Sequence, residues 1–241
     1  MLTPGNHKLG GRRIWGFSLP SSDPAVCPGM SDICRAHCYA SALERYRPAA
    51  AAAYRRNLAL SRRRTFVTRV RAFLVAHAVA VVRVHVGGDF YSRGYARKWL
   101  RVMRRSPRVR FFFYTRSWRV CTIKEVIDRM ARLPNCVVWY SADASTGLPP
   151  EVPIGARVAW LSVTEGDVPP AGTDLTFRIR RLRRAPAQSG GTPVCPAEDG
   201  VPRSRRVTCE VCGRCWHDAP TPGRTALRVL DTPYSPGPNA S

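Results

Sequence analysis

A chain of 241 residues with 44% hydrophobic content can bury a core as one large domain, or as one domain with a small appendage, which excludes disorder throughout. Its formal charge of +23 comes from 39 basic and 16 acidic residues, with lysine only at Lys8, Lys98 and Lys124. Such an excess favours phosphate-bearing partners, nucleic acid among them, although a GC-rich coding sequence also yields many Arg, Ala, Val and Pro and few Lys. No apolar run reaches the roughly 20 residues of a bilayer span, and no secretory leader is recognisable. A cytoplasmic protein with no membrane partner is expected, its nine cysteines reduced and more suited to metals than to disulfides.

Residues 1–12 are polar and Gly-rich and promise little packed structure. Residues 13–20 read as a first strand, alternately apolar from Ile14 to Leu19 and stopped by Pro20. A loop follows that places Cys27, Cys34 and Cys38 within twelve residues, with Pro28 and Gly29 preventing a strand from continuing. Three clustered thiolates suit a soft metal or an iron-sulfur cluster, and the Cys-x6-Cys-x3-Cys spacing matches no common zinc pattern. A loop that stops at three leaves one coordination position open, as a catalytic centre requires. Alternatively His37 or a C-terminal cysteine supplies a fourth ligand and the metal only staples the loop.

Residues 39–78 are helical in character, with an alanine run at Ala49 to Ala53 and a stripe at Phe66, Val70, Phe73, Leu74 and His77, which predicts a long crossover of two pieces. Residues 80–86 form a second strand ending at Gly87-Gly88-Asp89, where the glycines remove side chains that would keep a ligand from the backbone. Ser92 caps a helix to about Arg105, residues 109–114 form a third strand, and Thr122 to Glu125 has capping-box spacing for a helix that ends before Pro134. Residues 136–140, 157–163 and 175–179 complete six strands, with short or missing helices between the last of them.

Strands alternating with helices imply a parallel sheet, curled or open. The expected fold is α/β, an incomplete (βα)6-type barrel over residues 1–180. A Cys-rich metal-binding or iron-sulfur extension at 181–218 and a Pro/Gly-rich tail at 219–241 follow it. Each strand runs into a polar cluster: Gly87, Gly88 and Asp89; Thr115, Arg116 and Ser117; Ser141, Asp143 and Ser145; Thr164, Glu165 and Asp167. In a βα barrel these ends converge with the cysteine loop on the face that carries the active site, although loops are polar in any globular fold. Thr115, Arg116, Ser141, Asp143 and Glu165 are accordingly candidates for substrate or cofactor contacts.

The second cysteine group is Cys195, Cys209, Cys212 and Cys215, with His217 as a spare ligand. Four thiols close around zinc or hold an iron-sulfur cluster with no free position, and the repeated two-residue spacing leans towards a cluster. Cys121 and Cys136 read as core or near-core thiols. His85, between Val84 and Val86, reads as a polar group of the barrel interior or as a satisfied structural histidine.

A strand, a three-Cys loop ending Cys38-Tyr39, a helix, and a strand ending Gly87-Gly88-Asp89 together resemble the radical S-adenosylmethionine (SAM) superfamily. The resemblance implies a 4Fe-4S cluster on Cys27, Cys34 and Cys38, with S-adenosylmethionine beside it. It also implies close approach of the cofactor at Gly87 and Gly88, an ammonium contact at Asp89, Tyr39 near the adenine, and an auxiliary cluster on Cys195, Cys209, Cys212 and Cys215. The cysteine spacings are longer than the superfamily's Cys-x3-Cys-x2-Cys, and Asp89 stands where that superfamily has Glu. Phe17 to Pro20, the Cys-Pro-Gly loop with Cys38-Tyr39-Ala40, Arg83 to Phe90, and the Cys-x2-Cys-x2-Cys-Trp end are similar to the gene product 88-like proteins of actinobacterial phages and plasmids. That likeness runs from about Leu9 to Trp216 and implies no settled activity.

Two functions follow as expectations. In the first, the chain is a radical SAM-like enzyme acting on a nucleic acid or nucleotide, with Asp89, Arg116, Asp143 and Glu165 as catalytic candidates. Tyr39, Gly87, Gly88, Asp89, Thr115 and Ser141 would contact the cofactor, and a flavodoxin or ferredoxin would donate electrons. In the second, zinc or iron-sulfur sites staple a non-catalytic protein onto nucleic acid, for which the Arg180-Arg181-Leu182-Arg183-Arg184 run and Arg62 to Arg64 speak.

Overall fold

The computed structural model of the chain describes residues 1–5, 7–11, 13–184, 190–196, 207–217 and 228–229. The expected tail at 219–241 falls outside the described residues except for that last pair. The strands are β1 (Thr3–Pro4), β2 (Ile14–Phe17), β3 (Val81–Val84), β4 (Arg110–Thr115), β5 (Cys136–Asp143), β6 (Glu151–Val152), β7 (Ala156–Ser162), β8 (Leu175–Arg178) and β9 (Arg228–Val229). Seven of them form one open sheet in the order β1-β2-β3-β4-β5-β7-β8, and β6 pairs with β9 in a separate antiparallel ribbon. From β2 to β8 every pairing is parallel and follows chain order without reversal; β1 closes the near edge antiparallel to β2.

Strands buried on both faces must be apolar at successive positions, and these are. Phe111, Phe113, Val138, Tyr140, Val158 and Trp160 face the helices, whereas Phe112, Val137, Trp139 and Ala159 belong to a second cluster on the other face. The helices are α1 (Asp32–Ala36), α2 (Tyr39–Tyr46), α3 (Pro48–Arg62), α4 (Phe66–Ala76), α5 (Arg93–Arg104), α6 (Cys121–Ala131) and α7 (Cys209–Cys212). The first core holds Phe66, Val70 and Leu74 of α4, Tyr95, Trp99 and Met103 of α5, and Ile123, Ile127 and Met130 of α6. Trp99 is its centre, edge-on to Phe17 and Phe66 at ring separations of 5.2 and 5.5 Å.

Helix boundaries follow local chemistry, with some departures from expectation. Ser92 does cap α5, its Oγ accepting from Tyr95 N at 3.2 Å. The crossover after the cysteine loop is three helices rather than two, because Pro48 opens α3 afresh and the chain turns again at Arg63–Thr65. Helix α6 begins at Cys121 with Val120 at its N-cap and no side-chain cap, so the capping box at Thr122 is not used. Cys121 is exposed, while Cys136 is buried. Nor is the N-terminus loose: Leu2 and Leu9 are buried, one in each core.

The second face is covered by the C-terminal segment. Trp216 packs with Leu9, Ile14, Trp139 and Leu175, and its Nε1 donates to Cys209 O at 3.1 Å while Trp139 Nε1 donates to Cys215 O at 3.0 Å. Val194 bridges to Thr176 along the outer edge of β8. Among the described residues no helix is long and apolar enough to cross a membrane.

At the N-terminal end of the strands, Asn135 Nδ2 lies 3.1, 3.1 and 3.0 Å from the carbonyls of Met103, Ser106 and Val109, joining the turn before β4 to the turn before β5. Asn135→Ala leaves these buried carbonyls short of a donor. A loss of about 2 to 3 kcal/mol is expected, read as a lower urea midpoint at unchanged slope.

Candidate cofactor and metal sites

The C-terminal ends of the parallel strands open into a cavity of about 530 Å³. Cys27, Cys34 and Cys38 line it together with Tyr39, Gly87, Gly88, Asp89, Thr115, Arg116 and Ser141. The cysteine loop and the diglycine turn, 49 residues apart between Cys38 and Gly87, therefore face one space.

The loop is fixed by direct backbone packing. Gly29 lies on the turn after β4, where a Cβ would fall onto the Arg116 carbonyl, so no other residue fits without moving that turn. Arg119 Nη1 donates to Gly29 O at 3.2 Å and to Met30 O at 3.3 Å. Ser31 caps α1 by accepting from Cys34 N at 3.0 Å, and its hydroxyl donates to Asp143 Oδ2 at 2.6 Å. The same oxygen pairs with Arg116 Nη1 at 2.8 Å, while Oδ1 accepts from Ser145 N and Oγ and from Thr146 N. Asp143 thus joins three loops from behind the cavity wall and does not line the cavity.

Asp89 is equally engaged. Oδ1 accepts from Phe90 N at 2.8 Å and Thr115 Oγ1 at 2.6 Å, and Oδ2 accepts from Arg116 N at 2.8 Å and Ser117 N at 3.1 Å. Each oxygen already holds two protein donors, which fills the acceptor sites of a carboxylate. Burial holds this carboxyl above the ordinary aspartate range, and the four hydrogen bonds pull it back. The geometry makes Asp89 a strut between the turns after β3 and β4, with no lone pair left for an ammonium group. The glycines before it also serve packing: a Cβ on Gly88, at φ +76°, would meet Leu19 Cβ at 2.6 Å, and one on Gly87 would meet Ala40 Cβ at 3.0 Å. Glu165 is exposed and stands outside the cavity lining.

Burial pushes the Cys27 thiol up, with Asp89, Cys34 and Cys38 adding to the shift, so the three sulfurs lie within electrostatic reach of one another. Cys34 is raised by burial too, against the opposing pull of Arg116. Thiols in this state carry their protons until a metal displaces them. Tyr39 is held by its hydroxyl, which donates to Val86 O and accepts from Arg83 Nη2 at 3.2 Å.

The four C-terminal cysteines line a separate space of about 20 Å³ with Leu175, Pro196, Val207 and Arg214. None of them lines the first cavity, so the two thiol groups are distinct; His37 lines the first cavity, and His217 packs on Trp216 outside the second. Among the described residues no group of three or more His, Cys, Asp or Glu side chains is drawn together as a metal-ion site.

Arg83 was not among the expected site residues. It is half-buried and lies within electrostatic reach of the second thiol group, its guanidinium 5.5 Å from the Tyr114 ring centre. Burial acts to lower its pKa, but Tyr39, Tyr114, Cys209 and Cys215 outweigh this and the net direction is up. A lone arginine inside Val81-Val82-Arg83-Val84 was the available signal.

A family model described as gene product 88 matches residues 1–218. The chain belongs to the gene product 88 family. It is 32% identical over 138 residues to the Gene 88 protein of Mycobacterium phage L5 and 31% identical over 138 residues to that of Mycobacterium phage D29. Each alignment covers 53% of this chain and 56% of the relative, so the chain spans little more than half the length of these relatives. No solved structure matches. Membership of the gene product 88 family names no reaction, and the chemistry has to be argued from the site.

One buried group of this family member reports on stability. His85 adopts φ +61°, its Nε2 lies 2.9 Å from Tyr95 Oη, and its ring sits edge-on to Phe90 at 4.5 Å. Burial lowers its pKa from 6.5 to about 3. The unfolded chain therefore takes up this proton first as pH falls. The stability due to neutral His85 is complete above about pH 6.5 and is lost towards pH 3 at up to about 1.4 kcal/mol per pH unit. His85→Asn, which tolerates a positive φ, should remove this acid-limb slope in urea titrations between pH 7 and pH 4.5. An unchanged slope would place the responsible proton elsewhere.

Proposed function

We propose that the protein is an iron-sulfur enzyme of radical SAM type, with a 4Fe-4S cluster on Cys27, Cys34 and Cys38 and S-adenosylmethionine in the adjoining cavity. The observation that carries this reading is the shared cavity: three thiols, the diglycine turn and Tyr39 around about 530 Å³ at the C-terminal ends of parallel strands. Strand order supports a partial (βα)6 barrel, since a doubly wound sheet reverses its order at a switch point and this sheet does not.

The donor chemistry is the kind such a cluster uses. Three thiols without a fourth leave one corner of a cubane open, and thiolates on separate irons stand farther apart than ligands of a single ion. When bound there, such a cluster supplies the electron for reductive cleavage of S-adenosylmethionine. The chain's own residues prepare the place. Arg116, held by Asp143, sets a positive charge beside Cys34 and favours its thiolate. Asp89 locks the turn that closes one wall, and acts as a positioning residue rather than an ammonium contact. Arg83 and Val86 O fix Tyr39 at the mouth. At the second site the four thiols share a space of about 20 Å³, which has less room for a cubane than for one ion.

Anaerobic reconstitution with iron and sulfide should load about four irons on the first site. Dithionite with S-adenosylmethionine should then release 5′-deoxyadenosine. Alanine at Cys27, Cys34 or Cys38 should abolish both, whereas Cys212→Ala should spare the first site's absorbance. Iron without cofactor cleavage would reduce the role to electron transfer. Zinc alone would leave the second expectation, a metal-stapled nucleic-acid binder.

A further inference from the structure

We infer that the cavity takes a single-stranded nucleic acid, its phosphates held by the exposed Arg45 and Arg180 at the mouth and its bases stacked along the exposed face of α2. This rests on the cavity being the reactive site proposed above, but its evidence is separate. Five arginines line the cavity, namely Arg45, Arg83, Arg116, Arg180 and Arg183, against one carboxylate, Asp89, whose oxygens are spent on protein donors. Setting Arg116 against its partner Asp143 still leaves four arginines facing that one acid.

A concave, low-dielectric site with this surplus concentrates a ligand carrying several negative charges. S-adenosylmethionine cannot supply them, because its sulfonium and ammonium outnumber its carboxylate. Three cluster-bound thiolates would be largely offset by the iron they hold. The remaining demand matches a run of phosphates. Arg45 stands on α2 and Arg180 on the segment after β8, so a strand crossing the mouth meets cations on both sides, with Arg183, held by the Arg178 carbonyl, adding to the field.

Aromatic surface starts at the lining with Tyr39 and continues from it along α2. Tyr39, Leu43 and Tyr46 are 59%, 39% and 80% exposed and lie at i, i+4 and i+7 of α2, which puts them on one helix face. Tyr39 is unusual in having its hydroxyl anchored inward, on Val86 O and Arg83, while its ring faces out. A tyrosine commonly keeps its polar tip wet and its ring covered. Here the ring is a fixed platform at the cavity entrance, and exposed aromatics beside cations are what unpaired bases recognise. A duplex keeps its bases inside, where neither the platform nor the cavity reaches them.

The test is fluorescence anisotropy of short labelled single strands, RNA and DNA, with the full-length reconstituted protein over a range of salt. The variants are Arg45→Ala/Arg180→Ala, Tyr46→Ala and, as a control, Arg101→Ala/Arg104→Ala. The control pair is exposed at the C-terminal end of α5, which antiparallel packing on the strands places at the opposite end of the molecule. The mouth pair should weaken binding at least about tenfold and lower the salt slope by about 1.4, two contacts on a single strand. Tyr46→Ala should cost about tenfold. The control should stay within about twofold. Melting curves on each variant confirm folding.

Equal loss in the control would reduce the effect to net charge and overturn the inference, as would equal affinity for a duplex. Tight binding of polyglutamate in place of oligonucleotide would assign the mouth to an acidic protein and overturn it too. Release of 5′-deoxyadenosine without oligonucleotide binding would sink the substrate and spare the reactive site. Binding without iron would do the reverse.

Discussion

The site depends on one buried carboxylate. Asp143, at the end of β5, receives Ser31 from the cysteine loop, Arg116 from the turn after β4, and Ser145 and Thr146 from its own loop. A charge with no solvent access is costly unless paired and saturated with donors. Because its partners come from three segments far apart in the chain, the cost is met only when all three are in place. The arrangement makes the loop of Cys27, Cys34 and Cys38 conditional on the completed sheet. Asp89 does the same for the turns after β3 and β4.

Using both acids as staples has an electrostatic consequence. The carboxylates are taken up by donors from the loops they join, while five arginines line the cavity against the single carboxylate of Asp89. Net positive charge at the strand ends is thus a by-product of how the loops are held, and not only of the Arg-rich composition. Cys27 and Cys34 fit this picture: burial raises both thiols, which favours the proton until a metal cation takes its place.

Much of this was legible in the sequence, and the failures have physical causes. The strands stood out because parallel strands covered on both faces need unbroken β-branched and aromatic runs, as in Val109 to Tyr114. The grouping of the three cysteines with Gly87 and Gly88 was legible because both follow strands, and successive strand ends converge. What could not be read was occupancy. A carboxylate at a strand end looks the same whether it is open to a ligand or already holds four protein donors, so Asp89 and Asp143 read as chemistry when they are structure. Leu2 and Leu9 were missed because a two-residue strand and a single helical turn are too short to show a period. Thr122 offered capping-box spacing, but the chain had already entered the helix one residue earlier from Val120.

An open sheet whose crossover helices lie on one side leaves a second apolar face that something must cover. Here the cover is partial. Leu9, Ile14, Trp139 and Trp216 close the lower part, and the segment carrying Cys209, Cys212 and Cys215 lies over them. Higher up, Arg83, Tyr114 and Phe177 remain part of the cavity wall. So short a segment has little core of its own and gains most from a metal staple. If a metal is held by Cys195, Cys209, Cys212 and Cys215, it would fasten this cover beneath the cavity. Arg83 donates to Tyr39 on one side and lies within electrostatic reach of Cys209 and Cys215 on the other, so this one side chain spans the wall between the two thiol groups.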